Sequence, residues 1–227
     1  MRVRKKKHTP ERMARCQAYL LDDPSVLEDP AAVFGNDNPV HAEIGCGKGL
    51  FVCRMAQRYP DINFIAFEKV PDVIVMAMEK AFANQLSNVR FVCADALLLP
   101  QVIRPHTLDR LYLNFSDPWK KSRQKKRRLT YRTFLEIYKQ VLKYGAEIWF
   151  KTDNTPLYEF SLEEFRLCGF ELKNLTDDLH NSPFAAENIM TEYEKAWSEK
   201  GFAIHRCEAV CPLEDAPTPM EEKIEND

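Results

Sequence analysis

The chain has 227 residues, of which 45% are hydrophobic and 29% are charged, a composition typical of globular proteins. This length fits one α/β domain with flexible ends. No apolar run approaches the roughly 18 residues of a membrane-spanning helix, and no apolar signal core follows the basic N-terminus, so we expect neither a membrane protein nor a secreted one. The seven cysteines form no C-x-x-C pair, which favours reduced thiols in the cytoplasm over disulfides or a zinc site.

The formal net charge of −2 hides very uneven segments. Basic side chains crowd residues 2–15 and 120–132, and acidic side chains crowd the C-terminal end. Because local charge decides what a surface attracts, the two basic blocks predict a polyanionic partner. We expect residues 1–15 to form a basic flexible arm, residues 16–212 a single domain, and residues 213–227 an acidic disordered tail.

A short apolar strand pattern ends in Glu43 and is followed by three glycines at alternate positions, Gly45, Gly47 and Gly49. The pattern predicts a buried strand, a tight turn and the start of a helix. The spacing E-x-G-x-G-x-G differs from the G-x-G-x-x-G of dinucleotide-binding folds and is common in class I S-adenosylmethionine-dependent methyltransferases. The ammonium and sulfonium of that cofactor favour a nearby acid. The alternative is a glycine-rich loop without a ligand.

The following segments alternate between helix and strand, as in a doubly wound α/β fold. The strand pattern over 63–67 leads to Glu68, about 20 residues beyond the turn, where such folds place the acid that accepts ribose hydroxyls. The strand pattern over 89–93 leads to Asp95, which can accept a hydrogen bond from an adenine amino group. A solvated acid at a strand end is the alternative for both.

The strand pattern over 111–115 runs directly into Ser-Asp-Pro-Trp at 116–119. Ligands of open α/β sheets bind beyond the carboxyl ends of strands, so Asp117 is placed to meet a base, with Trp119 either beside that base or packed in the loop. The basic run over 120–128 follows at once. Phosphate contacts beside a base-reading group indicate a nucleic-acid substrate.

The remaining patterns complete an α/β domain. They predict helices over 129–144 and 157–168 and strands over 147–151, 170–175 and 202–210. Thr191-Glu-Tyr-Glu predicts a further helix start, with Thr191 as N-cap and Glu194 completing a capping box.

Taken together, the motifs resemble those of the bacterial tRNA (guanine-N7)-methyltransferase family over nearly the whole chain. The matching motifs are Glu43-Ile-Gly-Cys-Gly-Lys-Gly, Phe67-Glu-Lys, Asn114-Phe-Ser-Asp-Pro-Trp, Lys125-Lys-Arg-Arg-Leu, Lys151-Thr-Asp-Asn and Thr191-Glu-Tyr-Glu. The glycine turn is shared by many methyltransferases, whereas the later motifs in this order are far more specific. The resemblance implies a Rossmann-like class I methyltransferase fold, α/β with a central, mostly parallel seven-stranded sheet and helices on both faces.

The resemblance also implies roles for individual residues, with Asp117 as the catalytic residue at the junction of cofactor and substrate. The cofactor-binding residues would be Glu43, Gly45, Gly47, Gly49, Glu68, Asp95 and Asp117. The substrate-binding residues would be Lys121, Asp153, Thr191, Glu192, Tyr193 and Glu194. The RNA-contacting residues would be Arg123, Gln124, Lys125, Lys126, Arg127 and Arg128. No metal is implied. Ser116 and Lys120 stand where the family commonly has prolines, which leaves the register of Lys120 and Lys121 open.

The activity that the resemblance implies is that of a tRNA (guanine(46)-N7)-methyltransferase, which transfers a methyl group from S-adenosyl-L-methionine to N7 of the variable-loop guanosine. Guanine N7 carries a lone pair and no proton, so no general base is needed before attack. The protein then positions the reactants and stabilises the charge that develops on the purine. The expected partner is tRNA, without a membrane, and both a monomer and a homodimer remain open.

Three other functions agree with parts of the sequence. An amino-methyltransferase acting on an exocyclic amine of a nucleic-acid base has an Asp-Pro-Pro-aromatic loop, of which Asp117-Pro-Trp keeps one proline. An RNA-binding protein that keeps the fold without catalysis would not need Glu43, Glu68 and Asp117. A small-molecule methyltransferase would leave both basic blocks unexplained.

Overall fold

The computed structural model describes residues 8–23 and 27–213, within which helices and strands alternate along the chain. The predicted acidic tail lies outside the described residues except for Leu213. The strands are β1 (Val40–Ile44), β2 (Asn63–Phe67), β3 (Val89–Val92), β4 (Leu108–Asn114), β5 (Leu142–Thr152), β6 (Glu171–Thr176) and β7 (His205–Val210). The α-helices are α1 (Thr9–Arg15), α2 (Pro30–Phe34), α3 (Leu50–Arg58), α4 (Pro71–Ala83), α5 (Leu99–Val102), α6 (Arg132–Val141), α7 (Thr155–Leu167) and α8 (Glu192–Ser198).

The strands form one seven-stranded sheet in the order β3-β2-β1-β4-β5-β7-β6. Strand β2 is parallel to both β1 and β3, and β4 is parallel to β5. Strand β7 is antiparallel to both β5 and β6. The prediction of an α/β fold with a mostly parallel seven-stranded sheet is confirmed.

Contacts along the chain define two compact units. The first comprises Met1–Arg104 and Ile189–Glu192, and it contains β1, β2 and β3. The second comprises Pro105–Asn188 and Tyr193–Asp227, and it contains β4 to β7. The single domain predicted over 16–212 stays a prediction.

In the first unit, β1 and β2 are buried at every position, the pattern of parallel strands that are covered on both faces. Helix α3 starts at the last glycine of the turn and packs against α4. A Cβ built on Gly49 would lie 2.4 Å from the Cβ of Ala77 and 2.8 Å from its Cα. Only glycine therefore lets α3 and α4 approach this closely.

Helix α1 lies where the charge pattern predicted a flexible arm, so that prediction is wrong for residues 9–15. Its Arg12 forms a bidentate ion pair with Glu79 of α4, with Nε–Oε1 and Nη2–Oε2 distances of 2.7 and 2.5 Å. Thr9 also donates to Asp72 over 2.5 Å. A charge count misses these contacts because both acids lie more than 60 residues away in the sequence. Residues 1–7 lie outside the described residues.

In the second unit, β5 begins at Leu142, although the apolar period predicted a helix as far as residue 144. Helix α6 ends at Val141, and Leu142 pairs with Leu108 of β4. Pairing within the sheet thus overrides the helical period over these residues. Helix α7 begins at Thr155, two residues before the predicted start at residue 157, because the Asn154 side chain caps it by accepting a hydrogen bond from the Leu157 amide over 2.9 Å.

Within residues 8–23 and 27–213, none of the helices combines the length and hydrophobicity that crossing a membrane requires. The same residues contain no group of three or more His, Cys, Asp or Glu side chains that could hold a metal ion.

We predict that Gly49→Ala destabilises the protein more than Gly45→Ala, although the two glycines have nearly equal φ angles of 76° and 78°. Each alanine carries the cost of a left-handed backbone, about 1–2 kcal/mol. Gly49→Ala adds the collision with Ala77, roughly 1–3 kcal/mol, whereas a Cβ at Gly45 meets nothing within 4 Å. Urea unfolding of both variants measures the difference, and equal losses would contradict the packing role of Gly49.

Candidate active site

The turn between β1 and α3 is built on glycines with left-handed backbones. Gly45, Gly47 and Gly49 have φ angles of 78°, 56° and 76°. The amides of Gly45 and Cys46 both donate to the Phe67 carbonyl, over 2.8 and 3.0 Å, which ties the turn to the end of β2. A Cβ built on Gly45 or Gly47 meets no atom within 4 Å. The turn therefore leaves open space beside its backbone.

Glu68 is the first residue after β2, as the sequence predicted, and its carboxylate is held by two backbone amides. Oε2 accepts from the Gly47 amide over 3.2 Å, and Oε1 accepts from the Val70 amide over 3.0 Å. A carboxylate oxygen has two lone pairs, so each oxygen keeps capacity for a ligand hydroxyl. The contact with Gly47 also joins Glu68 to the glycine turn.

Two acidic side chains, Glu43 and Glu68, give the glycine turn a negative electrostatic environment. Glu43 is buried near the end of β1, with 3% of its surface exposed. The pKa of the buried Cys46 thiol is raised well above its usual value, first by burial and then by the negative charges of Glu43 and Glu68. The same field favours a bound cation, such as an ammonium or sulfonium group.

Asp95 follows β3 and starts a short 3-10 turn, where its side chain accepts from the Leu97 amide over 3.1 Å. The Lys69 Nζ lies 3.8 Å from its carboxylate, and the side chains of Lys69 and Asp95 are 64% and 44% exposed. Strands β1, β2 and β3 are parallel neighbours, so their carboxyl ends lie at one edge of the sheet. The first unit thus collects Glu43, Glu68 and Asp95 at that edge.

Lys80 connects the glycine turn to Glu192 within the first unit. Its Nζ donates to the Lys48 carbonyl over 2.6 Å and lies 3.2 Å from a carboxylate oxygen of Glu192. Sequence analysis missed Lys80, because it lies within an amphipathic helix and no local pattern distinguishes it.

In the second unit, Asp117 is exposed on a loop whose two flanking residues have unusual backbones. Phe115 and Trp119 have φ angles of 53° and 41°, in a backbone region that residues other than glycine rarely adopt. The Phe115 amide donates to the Lys151 carbonyl of β5 over 2.9 Å. The loop that follows β4 therefore has a fixed and strained conformation. Backbones of this kind are enriched at functional sites.

The basic run after this loop forms 3-10 turns from Ser122 to Arg127. Most of its cations are exposed, and Gln124 is half-buried. The exposed cations are Lys120, Lys121, Arg123, Lys125, Lys126 and Arg127. The Arg127 guanidinium lies 4.9 Å from the ring centre of Trp119. Arg128 is half-buried, and its Nε donates to the Pro118 carbonyl over 2.9 Å.

Glu194 lies in a buried polar network. Its Oε2 is 2.8 Å from Lys151 Nζ, and its Oε1 accepts from Asn188 Nδ2 over 2.6 Å and lies 2.8 Å from His180 Nε2. Lys151 also donates to the Asn188 side-chain oxygen over 2.9 Å. Burial opposes ionisation of Glu194, but the Lys151 charge and these hydrogen bonds outweigh it and lower its pKa.

This network gives Glu194 partners that the predicted capping box did not include. Thr191 does immediately precede α8, in the N-cap position, and it is buried. Sequence analysis missed His180 and Asn188, which lie on short turns 14 and 6 residues before Glu194. Neither stands in a spacing that indicates a shared partner.

Tyr193 and Asp153, two of the residues predicted to bind the substrate, lie in contact. The Tyr193 hydroxyl donates to Asp153 Oδ2 over 3.3 Å, and its ring centre lies 5.1 Å from that of Phe115. Burial, followed by the charge of Asp153 and this hydrogen bond, raises the pKa of Tyr193 to about 12. Asp153 thus meets Tyr193 just beyond the end of β5.

Comparison with known sequences identifies close relatives. A family model described as "Putative methyltransferase" matches residues 37–207. A tRNA (guanine-N(7)-)-methyltransferase of Brevibacillus brevis is 46% identical over 204 residues, which cover 87% of this chain and 95% of the relative. A protein of the same name from Streptococcus thermophilus is 45% identical, with 92% of this chain and 98% of the relative covered.

Solved structures agree on the fold. The structure of an antibiotic-related methyltransferase superposes with a TM-score of 0.59 at 18% identity, and the match covers 81% of this chain and 92% of the other. The architecture is that of a class I methyltransferase, as the sequence predicted. With relatives above 40% identity over most of its length, the chain belongs to the tRNA (guanine-N7)-methyltransferase family.

Proposed function

We propose that this member of the family methylates N7 of the variable-loop guanosine of tRNA, with S-adenosyl-L-methionine as the donor, in the cytoplasm. The observation that carries the proposal is the loop of Asp117. The exposed carboxylate of Asp117 lies on the loop that follows β4, between two residues with strained backbones, and this loop leads into a run of six exposed cations. This arrangement suits a base that is fixed by one acid while phosphates are held beside it.

The residues of the first unit fit the donor. The open space beside Gly45 and Gly47 admits a ligand close to the backbone. Glu68 would accept ribose hydroxyls, Asp95 the adenine amino group, and the buried Glu43 would favour the ammonium group. When bound, the cofactor supplies an electrophilic methyl group.

Asp117 would orient the guanine and stabilise its developing charge. Its carboxylate accepts hydrogen bonds from the donor edge of the base, and the purine gains positive charge as N7 is alkylated. A fixed negative group near that charge lowers the barrier more than it strengthens ground-state binding. Because N7 carries no proton, the residues have no proton to remove before attack. Asp153, held by Tyr193, would share in reading the base.

The exposed cations from Lys120 to Arg127 would bind phosphates. Arginine forks match phosphate oxygens, and lysine contributes a point charge. Their location immediately after the Asp117 loop would place the RNA backbone beside the base that is methylated.

Labelled methyl transfer from S-adenosyl-L-methionine tests the proposal directly. We predict transfer to unmodified tRNA and none to the same tRNA with 7-deazaguanosine in the variable loop, because the deaza base lacks the N7 lone pair. An amino-methyltransferase would methylate both RNAs, since the exocyclic amine is unchanged. An RNA-binding protein without catalysis would methylate neither.

We predict that Asp117→Ala lowers kcat by roughly a hundredfold or more, because the charge on the purine loses its preorganised partner. The dissociation constant for the cofactor should change far less, which calorimetry measures. Asp109→Asn is the control: it removes an acid from β4, the strand that precedes the loop, where the Asp109 side chain pairs with Lys143, and it should keep the wild-type kcat. Unchanged turnover of Asp117→Ala would remove this residue from the mechanism.

We predict that the buried Glu194 network makes stability pH-dependent. The folded-state pKa of Glu194 lies below the ordinary value of 4.5, so its contribution is complete above that pH and is lost as the pH falls through the folded value. Glu194→Gln should be less stable at pH 7, by up to about 3–5 kcal/mol, because Lys151 loses its buried partner. It should also lose less stability than wild type on acidification.

Urea unfolding at pH 7 and at pH values below 4.5 measures both effects. Glu187→Gln is the control, because Glu187 is exposed on the neighbouring turn. Parallel pH profiles for wild type and Glu194→Gln would show that the carboxylate is not held by the network.

A further inference from the structure

Arg128 differs from the other cations of the basic run in the position of its side chain. The cations from Lys120 to Arg127 are exposed, whereas Arg128 is half-buried. Burial also lowers the pKa of its guanidinium, so it is less well solvated than an ordinary surface arginine. A group that is partly withdrawn from solvent is poorly placed to meet a phosphate.

The donors of Arg128 are directed at the loop that carries Asp117. Its Nε donates to the Pro118 carbonyl over 2.9 Å, and its Nη2 lies 3.5 Å from the Trp119 carbonyl. The guanidinium also lies over the Phe160 ring of α7, 4.3 Å from the ring centre. One side chain thus links two successive peptide groups of the loop to a helix.

The chain that follows Arg128 is fixed to the same helix. The Thr130 and Ser161 hydroxyls are buried and 2.7 Å apart. The carboxylate of Glu164 accepts from the Arg132 backbone amide over 2.7 Å and from its guanidinium over 2.7 and 3.1 Å. Arg128 therefore extends from a firmly docked segment and can serve as an anchor.

The loop needs such an anchor because its backbone is strained at both ends. Phe115 and Trp119 have positive φ angles of 53° and 41°, which persist only where surrounding contacts enforce them. The Phe115 amide is held by the Lys151 carbonyl. At the other end, Arg128 holds the carbonyls of Pro118 and Trp119.

We propose that Arg128 is a positioning residue that fixes the Asp117 loop through the Pro118 carbonyl, and that it is not one of the phosphate contacts. The proposal rests on the proposed function in so far as the loop serves methyl transfer. It assigns Arg128 a role different from that of Arg123 to Arg127.

The test compares Arg128→Gln and Arg128→Lys with the exposed control Arg123→Gln, using tRNA and S-adenosyl-L-methionine. Single-turnover methyl transfer at saturating tRNA should slow by roughly ten- to a hundredfold in both Arg128 variants, because a small displacement of the acid disrupts the reacting geometry. Lysine should not rescue the rate, since it keeps the charge but loses the planar fork and the stacking on Phe160.

The salt dependence of tRNA binding separates positioning from phosphate contact. The slope of log K against log salt should be the wild-type slope in Arg128→Gln, and shallower by about 0.7–0.9 in Arg123→Gln. An Arg128→Gln slope as shallow as that of Arg123→Gln would overturn the proposal. So would a wild-type rate in Arg128→Gln at saturating tRNA, or full rescue by lysine.

The role of Arg128 can also be tested without RNA or methyl transfer, from the resonance of Trp119. With 5-fluorotryptophan incorporated and the Trp119 signal assigned by Trp119→Phe, the Trp119 resonance should shift in Arg128→Gln and also in Phe160→Leu. An unmoved resonance in both variants overturns the proposal. If Arg128→Gln does not fold, Arg128→Lys and Phe160→Leu decide by the same shift. Absence of methyl transfer by the wild type would instead reject the proposed function. The Trp119 resonance would still test whether Arg128 fixes the loop.

Discussion

The buried ion pair between Lys151 and Glu194 is the constraint on which the proposed substrate side of the second unit depends. It joins the end of β5 to α8, and the side chains of His180 and Asn188 complete it. A buried ion pair adds little net stability compared with apolar packing, but removing one partner costs roughly 3–5 kcal/mol. The pair is therefore better understood as a device that enforces geometry. Its geometry sets where Tyr193, the residue next to Glu194, meets Asp153.

Cations in this chain fall into two groups that a charge count cannot distinguish. Arg12 and Arg132 form bidentate pairs with Glu79 and Glu164, and they hold helices in place. The exposed cations from Lys120 to Arg127 have few such contacts and suit a polyanion. A residue's neighbours in space, rather than its neighbours in sequence, decide to which group it belongs. This explains why the predicted arm proved helical over Thr9–Arg15.

What the sequence predicted well is what depends on local chemistry. The buried strands, the glycine turn and the placement of Glu68 and Asp95 beyond strand ends follow from apolar runs and backbone freedom, which act within about ten residues. The family resemblance added roles for Asp117 and Asp153, which stay predictions. By contrast, Lys80, His180 and Asn188 became visible only in the structure, because their partners lie on other elements of the fold. The early start of β5 was missed for the same reason, since its pairing with Leu108 is not local.

The chemistry of the proposed reaction explains why many contacts fix the backbone and few are suited to activating a general base. A nucleophile without a proton needs no general base, so the rate depends on how accurately the reactants are held. The loop of Asp117 has Ser116 and Lys120 where the family resemblance leads us to expect prolines, and a proline would limit the backbone by itself. Here a carbonyl of β5 and the side chain of Arg128 contact the loop at its two ends. We infer that these two hydrogen bonds add to the restriction that Pro118 places on the loop.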